Sequence, residues 1–359
     1  MNLFNINSDI SIAETLPSEF YTDEKYFGLS KEKIFTRTWQ YAGDTEVVKV
    51  PGQLHPFYLL ENFLDEPLIL SRDKNDRLHC LSNVCTHRGN ILIEGSCIEK
   101  NIICRYHGRR FDLDGKFLSM PEFNEVQNFP SKKDDLAEIP FETWEKFLFV
   151  SLKPLAPAHE FIGDMCSRMS WLPLEEFIFD PSRSRDYLVK AHWALYCENY
   201  LEGFHIPYVH NSLNAALDYS NYKTELFRYS SLQIGVAKSG DDCFDLPKDS
   251  IDHGQKISAY YFWIFPNIMF NFYPWGLSIN IIRPLKPDLT KVSFLTYVWD
   301  ESKLDKGAGA GLDKVEREDE AIVENVQRGI RSVNYDRGRY SVKRETGTHH
   351  FHQLISQFL

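Results

Sequence analysis

Positive charge is in short supply in this chain: 40 Lys and Arg stand against 51 Asp and Glu, a formal net charge of -11. Nucleic acid and anionic membrane surfaces bind through concentrated basic residues that neutralise phosphate, so neither is an expected partner. The opening stretch MNLFNINSDISIAETLPSEF has no basic start followed by an apolar run, so no signal peptide is expected. Long hydrophobic runs are missing too. The longest aromatic-rich one, AYYFWIF at 259–265, is too short for a bilayer and ends at Pro266. A cytoplasmic protein off the membrane is the simplest expectation. Cysteines number seven, an odd count scattered through 359 residues, which argues against a disulfide framework. Reduced thiols leave Cys85 and Cys104 free to act as thiolates, while Cys80, Cys97, Cys166, Cys197 and Cys243 read as small buried hydrophobes. Internal repeats are absent, and the glycine-rich KGAGAGLDK at 306–314 lacks both a P-loop ending and a dinucleotide fingerprint. It reads as a flexible lead-in to a helix.

What is present can fill a sizeable core, since 43% of the residues are apolar. Residues 18–40 read as helical around SKEKIFTRTW, and short β-rich runs such as EVVKV, PLILS and FLFVSL follow from Glu46 to Leu152. Asp114-Gly115 signals a hairpin turn. The proline-bearing KPLAPAHEF at 153–161 marks a boundary. Beyond it, helices near 192–205 and 312–331 accompany aromatic strands between 224 and 299, an α+β pattern. Three segments are expected: an N-terminal helical segment over 1–40 that packs on the last, a small all-β domain over 41–155, and an α+β domain over 156–359.

Two short loops carry the first chemistry. NVCTHRGN at 83–90 and ICRYHGRRF at 103–111 each offer one cysteine and one histidine, in the order C-x-H-x16-C-x2-H. Zinc is the competing reading, but zinc fingers usually take two cysteines from one knuckle and two histidines from another element. In a Rieske [2Fe–2S] centre two thiolates bind one iron and two imidazoles the other. Cys85, His87, Cys104 and His107 are therefore the expected cluster ligands. Exchanging two thiolates for neutral imidazoles raises the potential and suits the centre to pass single electrons. His55 and His79 lack this spacing and read as surface or packing residues.

A second set lies in YCENYLEGFHIPYVH at 196–210. Glu198, Glu202 and His205 are spaced to share one helical face, and His210 falls off it. Pro207 stands between the two histidines, where a break swings both imidazoles towards one ion. Two histidines need a carboxylate to complete the facial triad of non-haem iron(II). In the helix at 312–331 an apolar stripe runs Leu312, Val315, Ile322 or Val323, Val326 and Ile330, and Asp319 fills its gap. A carboxylate facing a core is costly unless paired or bound to metal, so Asp319 is the expected third ligand, with a buried ion pair as the alternative. Glu316, Glu318 and Glu320 read as a solvated face. His159, His192 and His253 read as ordinary packing residues, and GTHHFHQLI at 347–355, with His349, His350 and His352, as a terminal packing helix.

Together these motifs resemble the Rieske non-haem iron oxygenases, specifically their terminal α subunits. The resemblance runs from the N-terminal helix through both cluster loops and residues 199–210 to EDEAIVENVQRGIRS at 318–332. It implies one [2Fe–2S] cluster, one mononuclear Fe(II), a helix-grip catalytic domain and a homotrimer. It also implies electrons from NAD(P)H through a separate flavin or iron-sulfur reductase. Glu202 takes the place of the acidic residue that bridges the iron of one subunit to the cluster of the next; aspartate is more usual there, and glutamate resembles the carnitine oxygenase branch. Arg109 departs from the tryptophan usual after CxYHG. Aromatics in AYYFWIFPNIMFNFYPWGLSINIIRP at 259–284 can line a pocket, and HHFHQLI and YPWGLSIN look similar to choline, glycine betaine and carnitine monooxygenases. A quaternary ammonium or N-methyl substrate is expected, hydroxylated or N-demethylated with O₂. An aromatic acid is the alternative substrate, and a Rieske electron carrier without catalysis the alternative class. The polar segment 236–258 is expected to loop over the pocket mouth.

Overall fold

In the computed structural model, which describes residues 3–238, 240 and 242–359, the chain divides into two units: Gln40–Pro154, and the residues up to Trp39 together with Leu155–Leu359. The first unit is all antiparallel β. Strand β1 (Gln40–Asp44) pairs with β10 (Phe147–Val150), which pairs with β9 (Phe141–Trp144). A second sheet has the order β4 (Leu78–Ser82), β3 (Glu66–Arg72), β2 (Gln53–Leu59) and β5 (Cys97–Ile98). A third joins β6 (Ile102–Ile103), β7 (Arg110–Phe111) and β8 (Phe117–Ser119).

The continuous apolar run in β3 is explained by burial on both faces. Leu68 and Leu70 pack with Val48, Leu59 and Leu148, whereas Ile69 points the other way into a core with Leu81, Phe111, Cys85 and Cys104. The hairpin at Asp114-Gly115 closes β7 onto β8, with Gly115 at φ +85°.

The second unit carries one large antiparallel sheet in the order β11 (Ile178–Phe179), β18 (Leu289–Val298), β17 (Gly276–Lys286), β16 (Ile268–Tyr273), β15 (Ile257–Ile264), β14 (Ser230–Val236), β13 (Lys223–Leu226), with β12 (Arg185–Val189) also on β18. Its helices are α1 (Ser18–Thr22), α2 (Glu24–Ser30), α3 (His159–Arg168), α4 (Trp193–Tyr200), α5 (Ile206–Val209), α6 (Asn211–Ala216), α7 (Leu312–Gly329) and α8 (Thr346–Phe358). The helical reading of 18–40 is thus split at Asp23, which caps α2, and β1 begins at Gln40. Among the described residues, no helix is long and apolar enough to cross a membrane.

Every residue of β15 and β16 is buried. Trp263 lies against Phe351 of α8, ring centroids 5.2 Å apart, while on the opposite face the Tyr260 hydroxyl donates to Asp252 (2.8 Å), which also binds Arg168 of α3 (2.7 Å). Strand register then builds a polar row. Gln233, Tyr261, Asn271 and Ser278 are successive cross-strand partners on one face.

The helix expected over 192–205 is shorter than its sequence suggested, ending at Tyr200. The Glu202 carboxylate accepts from the backbone N–H groups of Phe204 and His205, which takes these amides out of helical bonding. Glu198 therefore does not share a face with Glu202 and His205. It accepts from the Tyr21 hydroxyl (2.7 Å) and pairs with His352 of α8 (3.1 Å). At that end α8 seats closely on the chain: a Cβ on Gly347 would come within 2.3 Å of the Leu201 carbonyl oxygen. Glycine is required there by space.

Candidate metal centres

The two Cys/His loops have the same main-chain design. Cys85 N–H donates to Asn90 O (2.8 Å) and Gly89 N–H to Cys85 O (3.0 Å); in the other loop Cys104 N–H donates to Arg109 O (2.8 Å) and Gly108 N–H to Cys104 O (2.9 Å). Gly89 and Gly108 both adopt φ +73°, a left-handed conformation that costs glycine little. These loops bring the two buried thiols together. Burial and the neighbouring Cys104 thiol push the Cys85 thiol above its ordinary value. His87 and His107 have ring centroids 4.9 Å apart, and burial followed by the His107 charge lowers the pKa of His87.

The donor set of two thiols and two imidazoles matches a Rieske cluster, and His107 Nδ1 is buried with no hydrogen-bond partner, as a metal-binding nitrogen should be. A third segment straps both loops. The Asp134 carbonyl accepts from Thr86 of the first loop (2.8 Å), and its carboxylate from Arg109 of the second (2.7 Å). Arg109 is only 2% exposed and its guanidinium stands 4.8 Å from the Phe117 ring and 5.4 Å from Phe129. A flat cation thus occupies an aromatic niche where the resemblance expects tryptophan.

In the other unit His205, His210 and Asp319 offer ligand atoms that all lie within 4.8 Å of one another. His205 sits at the start of α5 and His210 between α5 and α6, so the chain break that brings them together begins before Pro207 rather than at it. Asp319 comes from α7, with Oδ1 2.9 Å from His210 Nε2 and 3.5 Å from His205 Nε2. Each imidazole is held at its far nitrogen by another carboxylate: His205 Nδ1 by Glu202 Oε1 (2.7 Å), His210 Nδ1 by Glu318 Oε2 (2.8 Å). A metal-binding histidine is commonly fixed this way. Burial opposes charge on His210, but Asp319 and Glu318 outweigh it and raise the pKa. The residues fit one ion with open positions.

Beside this trio is a cavity of about 90 Å³, walled in part by Tyr200, Tyr222, Tyr261, Tyr273, Gln233 and Glu316. Glu318 and Glu316 were missed as functional residues because α7 was phased by its apolar side chains. The inward face carries Glu316, Asp319, Val323 and Gln327, while Ile322 and Val326 are 37% and 44% exposed. Glu316 accepts from the Tyr196 hydroxyl (2.7 Å); burial, reinforced by Asp319, pushes its carboxyl up to about 8. No described residue of 236–258 lines the cavity; the Ala237 N–H donates to Lys256 O (2.8 Å), and residues 239 and 241 lie outside the described ones. Of the remaining cysteines, Cys80 and Cys197 are buried and Cys97, Cys166 and Cys243 half-buried.

Two family models match the chain: the Rieske [2Fe-2S] domain over residues 38–130, and the ring hydroxylating alpha subunit (catalytic domain) over 178–359. The chain belongs to the ring hydroxylating alpha subunit family. Such Rieske oxygenases are oxidoreductases with a small Rieske domain and a helix-bearing antiparallel catalytic domain, as observed here. Among curated relatives, the chloroplastic choline monooxygenase of Arabidopsis thaliana is 30% identical over 96% of this chain and 82% of that protein. The carnitine monooxygenase oxygenase subunit of Escherichia coli (strain K12) is 27% identical over 96% and 94%. The quaternary ammonium Rieske monooxygenase CntA, studied for carnitine oxidation and inter-subunit electron transfer, superposes with a TM-score of 0.77 at 22% identity, covering 98% of this chain and 97% of that one. Naphthalene 1,2-dioxygenase gives 0.71 at 18% identity, over 98% and 95%. The ring hydroxylating fold is therefore shared across very different substrates, and the cavity residues must decide among them.

Proposed function

We propose that this chain is the terminal oxygenase of a Rieske system that hydroxylates or N-demethylates a small quaternary ammonium compound. The observation that carries the reading is the convergence of His205, His210 and Asp319 on one point beside an aromatic cavity. Cys85, His87, Cys104 and His107 would hold the [2Fe–2S] cluster, and the trio would hold the mononuclear Fe(II). When bound, the cluster supplies single electrons and the iron supplies O₂ activation. The chain's own residues do the rest. Glu202 fixes the His205 ring and is assigned as the bridge towards the cluster of a neighbouring copy. Glu318 fixes His210, and the tyrosine wall excludes water and presents aromatic faces to an alkylammonium group. Relatives named for choline and carnitine support that substrate class.

The working assembly is a homotrimer served by a separate flavin or iron-sulfur reductase that draws on NAD(P)H. Exposed aromatics suit such contacts: Tyr106 beside His107 is 55% exposed, and Tyr208 of α5 is 79% exposed. Seven free thiols support a reducing, cytoplasmic setting. The test is metal content followed by turnover. Three irons per chain, a Rieske electron paramagnetic resonance signal on reduction, and O₂ uptake coupled to oxidation of choline, glycine betaine or carnitine are expected. Two irons without O₂ chemistry would make it an electron carrier; coupled oxidation of an aromatic acid alone would overturn the substrate class.

A further inference from the structure

We propose that Glu316 is the counter-charge for the substrate's ammonium group and that Gln233 reads a hydroxyl on the same molecule, so that the cavity takes a small quaternary ammonium alcohol in preference to an ammonium carboxylate. This rests on the oxygenase reading above and sharpens it.

Among the described residues, no Lys or Arg lines the cavity. Its carboxylates are Glu202, Asp319 and Glu316; the first two are bonded to the histidines, whereas Glu316 is held by a neutral phenol, the Tyr196 hydroxyl. Without a protein cation beside it, burial favours the protonated Glu316 carboxyl, and a cationic ligand in the cavity favours the charged carboxylate by pairing with it. Tyrosine faces around it add cation–π attraction for a methylated ammonium, which offers no N–H to a hydrogen-bonding site.

Gln233 supplies the independent second point. Its side chain is 2% exposed; Nε2 donates to Tyr200 O (2.6 Å), which fixes the amide's orientation and leaves Oε1 buried without a partner. An unpaired buried acceptor favours a ligand that donates. A hydroxyl does; a carboxylate cannot, and it would bring further lone pairs against Oε1. The neighbouring Asn271 is already satisfied, accepting from the Tyr200 hydroxyl (2.8 Å) and donating to Ser278 O (3.1 Å). Arg183, Arg185 and Arg317 line an adjoining cavity that shares Glu316, but Arg183 pairs with Asp180 and Asp305, Arg317 with Asp313, and Arg185 donates to the Ser182 and Ser184 carbonyl oxygens. All three are engaged within the chain, and none lines the cavity beside the histidines.

The test is anaerobic binding calorimetry on protein loaded with both metal centres, verified by iron content and the reduced-cluster signal. The probes are choline, its uncharged carbon isostere 3,3-dimethylbutan-1-ol, ethyltrimethylammonium, glycine betaine and L-carnitine. Wild type should bind choline at least about tenfold more tightly than the isostere or either carboxylated cation. Glu316→Gln should lower choline affinity by at least about tenfold and leave the isostere within about twofold, erasing the charge preference. Gln233→Leu should erase the preference for choline over ethyltrimethylammonium. Unchanged choline binding in Glu316→Gln, or tighter wild-type binding of glycine betaine or carnitine than of choline, overturns the proposal and leaves the oxygenase reading standing. Failure of every ammonium probe with both centres loaded overturns the substrate class as well.

Discussion

The two Cys/His loops and the His205–His210–Asp319 site are shaped by different means. In the loops, paired main-chain hydrogen bonds and two left-handed glycines set the shape, and each loop is complete within a few residues. At the second site, shape comes from side chains: Glu202 and Glu318 orient the imidazoles, and Asp319 arrives from a helix more than a hundred residues further along. Main-chain design is local and tolerant of its neighbours. Side-chain design depends on the whole sheet and helix arrangement being in place, so it is the easier of the two to perturb without unfolding the protein.

The largest effect that separates the regions is removal of a ligand. His210→Ala and Asp319→Ala should abolish mononuclear iron binding and cut turnover by about 10³-fold or more, while the reduced cluster's electron paramagnetic resonance signal stays at wild-type intensity. Loss of both centres together would show that the regions are not independent. Next comes the strap. Arg109→Ala leaves the Asp134 carboxylate without its buried partner and empties an aromatic niche, which should lower unfolding stability by about 3 kcal/mol, read as a shift in the denaturant midpoint, with cluster loss preceding iron loss. Glu318→Gln is milder: iron affinity should fall about 10- to 100-fold, measured by chelator competition, with the cluster spectrum unchanged.

A pH experiment makes the most gradual cut. His192 is wholly buried and burial depresses its pKa to about 3, from 6.5. The folded state therefore refuses a proton that the unfolded chain accepts, so stability is intact above 6.5 and is lost as pH falls towards 3, at up to about 1.4 kcal/mol per pH unit. His192→Asn should flatten the acid limb of thermal unfolding for the catalytic unit. The limb of the Rieske unit should not move.

The same contrast explains what could be read in advance. The two Cys/His loops are legible as a matched pair because their spacing, residue types and turn glycines all sit in short windows. His205, His210 and Asp319 are legible as residue types, whereas Glu198 leaves their face because α4 ends at Tyr200 and the Glu202 side chain binds the amides that would continue it. Glu316 and Glu318 were invisible for another reason. Helical phase is judged from apolar residues, and α7 turns Glu316, Asp319 and Gln327 inward while Ile322 and Val326 remain partly exposed. A helix that walls a polar cavity defeats that criterion. The polar strand row was equally hidden, because Gln233, Asn271 and Ser278 are separated in sequence and meet only through register.

That row has an evolutionary corollary. Strand alternation assigns cavity-facing and core-facing duties to different positions, so Gln233, Asn271 or Ser278 can be exchanged one at a time while Leu232, Phe270 and Ile279 keep the scaffold intact. Substrate preference can therefore diverge among descendants of one such chain through this row alone, with the His205–His210–Asp319 arrangement inherited unaltered.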